Sequence, residues 1–190
     1  MTPYNNTREH AHNLLTQYTK SESLMRHAYA VEASMLYYAK LGSYDPILWG
    51  NTGLLHDFDY EMYPSPTPEG HPYVGCQILR DHAYPDTMCE AIMGHALYSG
   101  VPRTTDLAKT LFAVDELSGL VYASVLVRPD KDINNLEVAS VKKKMKDKAF
   151  AKGVSRDDIK LGLEETGLDL DVHVGNVIQA LRERKDLVFG

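Results

Sequence analysis

Cysteine is scarce in this chain of 190 residues, which contains only Cys76 and Cys89. Two thiols allow one disulfide bond at most, and small secreted domains that depend on disulfides are usually denser in cysteine. The stretch from Met1 to His10 is polar and lacks the apolar core of a secretory signal. We therefore expect two reduced, mostly buried thiols in a cytoplasmic protein.

Long apolar runs are also absent, and no stretch reaches the length of about 20 residues that a membrane-spanning helix requires. Acidic residues outnumber basic ones, and the formal net charge is −6. An acidic surface repels a phosphate backbone, which disfavours binding to nucleic acid over a broad face. A small anionic substrate such as a nucleotide is still compatible with this charge, because a bound divalent cation would reverse its sign locally.

Few segments alternate between apolar and polar residues as strands do, and internal repeats and low-complexity segments are missing. Apolar residues instead recur at helical spacing. An apolar fraction of 44% and a charged fraction of 24% exclude disorder for most of the chain. The sequence therefore predicts an all-α protein that forms a single domain over 1–190, with additional C-terminal helices over about 130–190.

Capping and breaking residues place the helix ends. They predict helices over about 21–41, with Ser21 as the cap, and over about 46–56, with Asp45 as the cap. Further helices are predicted over about 72–84 and 86–99, from Thr104 or Thr105 to Val127, and from a capping box at Ser155 and Asp158. Prolines at 64, 66 and 68 and a glycine at 70 exclude a helix between Asp59 and His71. We expect a loop there that covers a site held by the helices.

His56 and Asp57 stand next to each other just before this loop. The dipeptide alone is a weak motif, since chance gives roughly 0.6 such pairs in a chain of this composition. Neighbouring side chains on an ideal helix point about 100° apart, so two adjacent ligands need a helix end. The proline-rich loop supplies that end.

Three predicted helices each carry one metal-competent side chain on a mostly apolar or small-residue face: His27, His95 and Asp115. A buried carboxylate must pair, lose its charge or bind a metal. Each of the three alone is more often a satisfied core residue. Together with the neighbouring His56 and Asp57 they indicate one shared centre, and imidazole with carboxylate suits divalent zinc, iron or manganese.

The order His27, His56-Asp57 and Asp115 resembles the HD-domain superfamily of metal-dependent phosphohydrolases. The run GLLHDFDYE carries most of the resemblance, and the run DEL supplies the last ligand. The resemblance covers about 21–129 and extends to small bacterial single-domain members of similar length. It implies a helical bundle around a metal site with these four ligands.

His71 in GHP and His95 in GHA extend this resemblance, because HD proteins with extra histidines between these ligands bind two metals. By resemblance, His71 and His95 would hold the second ion and Asp57 would bridge both. Members of this kind include cyclic dinucleotide phosphodiesterases and di-iron oxygenases. This chain has HALYSGVPR where the phosphodiesterases have GYP, and it lacks their lysine after the HD pair. Both departures argue against a cyclic dinucleotide substrate.

The resemblance implies a hydrolase that cleaves a phosphate ester of a small molecule or nucleotide with metal-activated water. The cofactor would be one or two divalent ions, chosen from iron, manganese, zinc, nickel and magnesium. Besides Asp57, the catalytic candidates are Asp59 and Glu61. Each would act as a proton donor or would support the metal ligands. The alternative is that both are solvated carboxylates on the loop. Two other functions stay open: a di-iron oxygenase with the same ligands, and a non-catalytic module that binds metal. Retention of all four core ligands argues against the module.

The remaining charged residues and histidines give weaker signals. The basic run from Lys142 to Lys148 suits an anionic substrate, although such runs usually mark a solvated face. Arg103 and Arg128 flank the helix of Asp115 and are candidates to clamp a phosphate. The histidines that match no ligand position are expected on the surface or in packing: His10, His12, His82 and His173.

Overall fold

Helices form the whole architecture of the computed structural model, which describes residues 7–190 and has no strand in that range. The α-helices in chain order are α1 Arg8–Tyr18, α2 Glu22–Gly42, α3 Pro46–Leu55, α4 Tyr73–Asp81, α5 Asp86–His95, α6 Asp106–Leu126, α7 Val138–Lys146, α8 Arg156–Thr166, α9 Leu170–Glu183 and α10 Lys185–Phe189. Two short 3-10 helices lie at Leu97–Ser99 and Ile133–Asn135. The all-α prediction is confirmed.

Helices α2 and α6, each of 21 residues, form the centre of the bundle. Small buried residues let them approach closely, and the hydroxyls of Ser34 and Ser118 form a hydrogen bond of 2.8 Å between them. Helix α3 packs on α2, α5 packs on α6, and α9 packs on both central helices. This scaffold holds the side chains that the sequence singled out.

The helices after Pro129 pack directly on the two central helices. His173 of α9 is fully buried, and its Nε2–H donates to the carbonyl of Ala113 in α6 at 2.9 Å. The hydroxyl of Tyr38 in α2 donates to Nδ1 of the same ring at 2.5 Å. Burial lowers the pKa of His173, and the bond to Ala113 only partly opposes this effect. The expectation that His173 serves packing is confirmed.

Two helix ends differ from the sequence prediction. Helix α4 ends at Asp81, not near Tyr84, because Ala83 adopts a left-handed conformation with φ of 60°. Helix α5 ends at His95, not at Ser99, because Ala96 is extended and a 3-10 turn follows. His95 therefore lies at a helix end.

Helix starts follow the predicted caps more closely, although the side chain of Ser21 forms no capping hydrogen bond at the start of α2. The side chains of Asp45 and Thr105 accept hydrogen bonds from backbone N–H groups at the starts of α3 and α6. The side chain of Ser155 accepts a hydrogen bond from the N–H of Asp158 at the start of α8. No helix forms between Asp59 and His71, as predicted.

Both cysteines are buried and free, with Cys76 Sγ 3.4 Å from the carbonyl oxygen of Cys89. Their burial agrees with the expectation of mostly buried thiols. Among the helices of residues 7–190, none combines the length and apolar character that crossing a membrane would need.

Candidate metal centre

Six side chains from five separate segments converge on one centre, and all of them except the fully buried His56 line a common cavity. They are His27 from α2, His56 and Asp57 at the end of α3, His71 just before α4, His95 at the end of α5 and Asp115 from the middle of α6. The structure thus brings together all six residues that the sequence and its resemblance proposed as metal ligands.

The carboxylate of Asp57 lies between two pairs of histidines. Its Oδ1 is 3.2 Å from Nε2 of His71 and 3.2 Å from Nε2 of His95. Its Oδ2 faces the other pair, at 3.5 Å from Nε2 of His56 and 3.9 Å from Nε2 of His27. Two groups result that share Asp57, and in each group the potential ligand atoms lie within 4.8 Å of one another. Each group can hold a metal ion.

Asp115 adds a second carboxylate to the group of His27 and His56. Its Oδ1 is 2.9 Å from Nε2 of His27 and 3.4 Å from Nε2 of His56. The first group therefore offers two imidazoles and two carboxylates. The second offers two imidazoles and the other oxygen of Asp57.

Hydrogen bonds behind the rings fix the orientation of three of the imidazoles. In His56, His71 and His95, Nδ1 faces an oxygen that can only accept; these oxygens belong to Gly53 (2.8 Å), Asp59 (2.7 Å) and Ile92. In the neutral ring, Nδ1 must therefore carry the proton, and Nε2 turns a lone pair toward the cavity. This is the tautomer that a metal-binding histidine needs.

The Nε2 atoms face one another in pairs, at 3.2 Å between His27 and His56 and at 3.3 Å between His71 and His95. For His71 and His95, whose Nδ1 atoms carry the protons, two lone pairs at such a distance repel each other, and a cation or a proton between the rings would relieve the repulsion. Burial lowers the pKa of His56, but the carboxylates of Asp57 and Asp115 outweigh it and raise that pKa well above its usual value. Protons and metal ions therefore compete for the same lone pairs.

A close contact between helices brings the HD pair to His27. A Cβ atom on Gly53 would lie 2.9 Å from the carbonyl oxygen of Val31 in α2, so only glycine allows this approach. His56 follows as the C-cap of α3, and Asp57 stands beyond the helix end. The predicted helix end at the HD pair is confirmed.

Asp59 is buried, with 1% of its side chain exposed, and is not a solvated loop residue. Its Oδ1 accepts from Nδ1–H of His71, and its Oδ2 accepts from the backbone N–H of Gly75 at 2.7 Å. A Cβ atom on Gly75 would lie 2.6 Å from the carboxyl carbon of Asp59, so glycine is required there. Asp59 thus supports a ligand, which is one of the two roles that the sequence suggested for it.

Glu61 lies outside this group, although the sequence made it a candidate for the same roles. Its carboxylate is exposed and accepts from the backbone N–H groups of Lys20 at 2.7 Å and Ser21 at 2.9 Å. These bonds lower the pKa of Glu61. Glu61 ties the loop to the start of α2, and neither proton donation nor ligand support at the centre fits this position.

The cavity around the six residues has a volume of about 510 Å³. Tyr60 and Tyr98 stand at its partly exposed rim, and the hydroxyl of Tyr98 donates to the carbonyl of His71 at 2.8 Å. Neither lysine nor arginine lines the cavity among the residues that the structure describes. Any positive charge in contact with a bound anion must therefore come from metal ions or protonated histidines.

Glu116 also lines the cavity, and the sequence analysis did not select it. Burial, followed by the charge of Asp115, raises the pKa of Glu116 to about 7. Its Oε2 accepts the backbone N–H of Ser155 at 3.0 Å. The sequence feature that could have identified Glu116 is its position directly after Asp115 in the DEL run.

The two arginines proposed as phosphate clamps are engaged elsewhere. Arg103 forms two bonds with the carboxylate of Glu165, at 2.6 and 2.5 Å, and stacks on Phe112. Arg128 pairs with the carboxylate of Asp130 at 2.9 Å. Neither guanidinium lines the cavity, so the clamp role is not supported.

The other histidines also lie outside the centre, in agreement with their expected role in packing or at the surface. His10 bonds to the hydroxyl of Tyr84, His12 bonds to the hydroxyl of Tyr29, and His82 is exposed.

Comparison of the chain with known proteins finds no matching family model, no matching curated protein and no matching solved structure. The donor atoms and their geometry therefore carry the functional inference.

Proposed function

We propose that the chain is a metal-dependent hydrolase that cleaves a phosphate ester of a small molecule or nucleotide, as the resemblance to the HD superfamily implies. The observation that carries the proposal is the position of Asp57, whose two oxygens face separate histidine pairs. A carboxylate in this position is suited to bridge two divalent ions. Two-metal sites stabilise both the attacking and the leaving oxygen of a phosphoryl transfer.

A divalent ion in either group would lower the pKa of a bound water toward about 7 and neutralise charge on the phosphoryl group. The residues of the chain orient the side chains that would hold the metal. Asp59 and the carbonyls of Gly53 and Ile92 hold three imidazoles in the tautomer that presents Nε2 to the cavity.

Proton delivery falls to Glu116 by its position. Its carboxyl lines the cavity next to Asp115, but neither ligand group includes it. A positioned acid of this kind protonates the leaving oxygen of an ester. Glu116 thus takes the role for which the sequence suggested Asp59 and Glu61.

The charge of the cavity supports an activity that depends on metal. Asp57, Asp115, Glu116 and Asp158 line it, and the described residues contribute no lysine or arginine. The carboxylates repel a phosphate, and bound divalent ions would offset this repulsion more strongly than protonated histidines can.

The test is phosphate release from a panel of nucleotides and sugar phosphates by protein freed of metal and then supplied with manganese, nickel or zinc. We expect phosphate release with at least one metal. The rate of release should be more than about 1,000-fold lower in Asp57→Asn, because this one substitution removes a ligand from both groups. Asp186→Asn, an exposed aspartate outside the cavity, is the matched control. Wild-type protein that holds metal but releases no phosphate from any ester would contradict the proposal. Two irons per chain with oxygen consumption in place of phosphate release would favour the oxygenase.

A further inference from the structure

A second cavity, of about 600 Å³, lies beside the metal cavity and is lined mainly by basic side chains. Six of the 20 lysine and arginine residues of the chain line it: Lys142, Lys146, Lys148, Lys152, Arg156 and Lys160. We call this cavity the basic cleft. Val154 lies in the walls of both cavities, so the basic cleft adjoins the metal centre.

The basic cleft is more than the solvated face of a charged helix. Its basic side chains come from α7, from the loop after α7 and from α8. Like charges from three segments repel one another, and the net charge of −6 makes such a concentration less expected. Asp157 is the one acidic residue in the lining.

Five of the six cations of the basic cleft, all except Arg156, fall into two sets. Lys142 pairs with Asp171, and Lys160 pairs with Asp157 at 2.9 Å. Within residues 7–190, the side chains of three lysines are exposed and form no ion pair or hydrogen bond: Lys146, Lys148 and Lys152. These three are available to an anion from outside the chain.

The segment between the two cavities is held from both sides. On the side of the basic cleft, the guanidinium of Arg156 donates to the carbonyls of Ala151 and Val154, at 2.7 and 2.8 Å. On the side of the metal cavity, the N–H of Ser155 donates to the carboxylate of Glu116. The wall that separates the metal centre from the lysines is therefore fixed by a hydrogen bond to Glu116 on one side and by hydrogen bonds from Arg156 on the other.

We propose that the basic cleft binds a second anionic group of the substrate, whose class is then a small molecule with two separated phosphate groups. This inference rests on the proposed function, because the reacting phosphate is the one held at the metal centre. Within the part of the chain that the structure describes, the metal cavity offers no lysine or arginine for a further phosphate, whereas the adjoining cleft offers three unpaired lysines.

Alkane bisphosphonates test the proposal, because their carbon–phosphorus bonds resist hydrolysis and binding can be measured without turnover. Calorimetry would compare bisphosphonates of increasing chain length with monophosphonates of the same length, on protein loaded with manganese. We expect the best bisphosphonate to bind about tenfold more tightly than its monophosphonate, with an optimum length that matches the distance between the two sites.

The triple variant Lys146→Gln, Lys148→Gln and Lys152→Gln should lose this tenfold advantage and bind the monophosphonate as the wild type does. The matched control changes three lysines outside the basic cleft by the same charge: Lys109→Gln, Lys131→Gln and Lys185→Gln. This control variant should still bind the bisphosphonate about tenfold more tightly than the monophosphonate.

Three results would overturn the inference: equal affinity for the two phosphonates, an advantage that survives in the triple variant, or an advantage that persists in metal-free protein. The last result would identify a separate anion site. Failure of the proposed function is distinguishable, because then the monophosphonate itself shows no metal-dependent binding.

Discussion

At the scale of single residues, the most informative feature is the acceptor behind each imidazole. The oxygen of Gly53, that of Ile92 and the carboxylate of Asp59 each fix one ring. Such supporting bonds set the tautomer and the direction of the ligand. Their loss typically weakens metal binding by about 10- to 100-fold. The ligands and their supports therefore act as one unit.

Asp59→Asn should lower the affinity of the group of His71 and His95 for metal by about 10- to 100-fold. The amide oxygen can still accept from His71, but the amide nitrogen would then meet the N–H of Gly75, and two donors repel. Titration with manganese should show one weakened site and one unchanged site. Glu61→Gln, which changes an exposed carboxylate on the same loop, should leave both unchanged, and an unaltered titration of Asp59→Asn would contradict the supporting role.

Glu116→Gln should retain its metal but lower kcat for ester hydrolysis by about 100-fold, because the amide cannot deliver a proton. Metal content and phosphate release, measured on the same sample, separate the two effects. A variant that keeps the wild-type rate would remove Glu116 from the reaction. A variant that loses its metal would show that Glu116 supports the ligands instead.

Sequence reasoning found the six potential ligands but judged the loop carboxylates less well. Spacing and residue type suggested His27, His95 and Asp115, since each stands alone among apolar neighbours on a helix. Asp59 and Glu61 looked equivalent in sequence, two positions apart on one loop. Only the fold separates them, because one faces His71 and Gly75 while the other faces the start of α2.

At the scale of elements, glycines decide how closely the helices approach. A Cβ atom on Gly162 of α8 would lie 2.7 Å from the Cα atom of Ala113 in α6. Helix α8 carries Asp158 into the metal cavity and Lys160 into the basic cleft. The packing of α8 on α6 therefore positions both cavities.

Gly162→Ala should lower the free energy of unfolding by about 1–2 kcal/mol, because overlap with the α6 backbone outweighs the gain in helix propensity. Gly175→Ala in α9 is the control, since its added Cβ would meet the Val138 side chain only at 3.8 Å. That control should gain up to about 1 kcal/mol. Denaturant unfolding measures both, and equal changes in the two variants would contradict the close contact.

His173 should make stability depend on pH. Because its folded-state pKa lies below the unfolded value near 6.5, the unfolded chain takes up a proton first as the pH falls. The stability that neutral His173 contributes is complete above pH 6.5 and is lost as the pH falls toward the folded-state pKa. The variant His173→Gln should lose less stability than the wild type between pH 7.5 and 5.5 in urea unfolding. An equal loss would contradict this account.

The element pattern was predictable where local chemistry decides it. Asp45, Thr105 and Ser155 cap helices as the sequence indicated. The predicted ends of α4 and α5 were wrong because the apolar periodicity of the sequence continues past the observed ends. The left-handed Ala83 and the extended Ala96 that end these helices carry no signal in their residue type.

At the scale of the whole molecule, charge is distributed unevenly. The metal cavity is acidic and the adjoining basic cleft is cationic, within a chain of net charge −6. Composition indicated the net charge and helical periodicity indicated the fold class. The adjacency of the two cavities depends on long-range packing of α8 on α6, which neither composition nor periodicity reports.

The most direct test of the two-group centre bridged by Asp57 is the metal content of the whole protein. Protein purified without oxygen and dialysed against manganese or iron would be analysed by elemental mass spectrometry, beside Asp57→Asn and the control Asp186→Asn. The account predicts two ions per chain in the wild type and the control, and fewer than one in Asp57→Asn. Wild-type protein without bound divalent metal, or Asp57→Asn protein that keeps two ions, would contradict it.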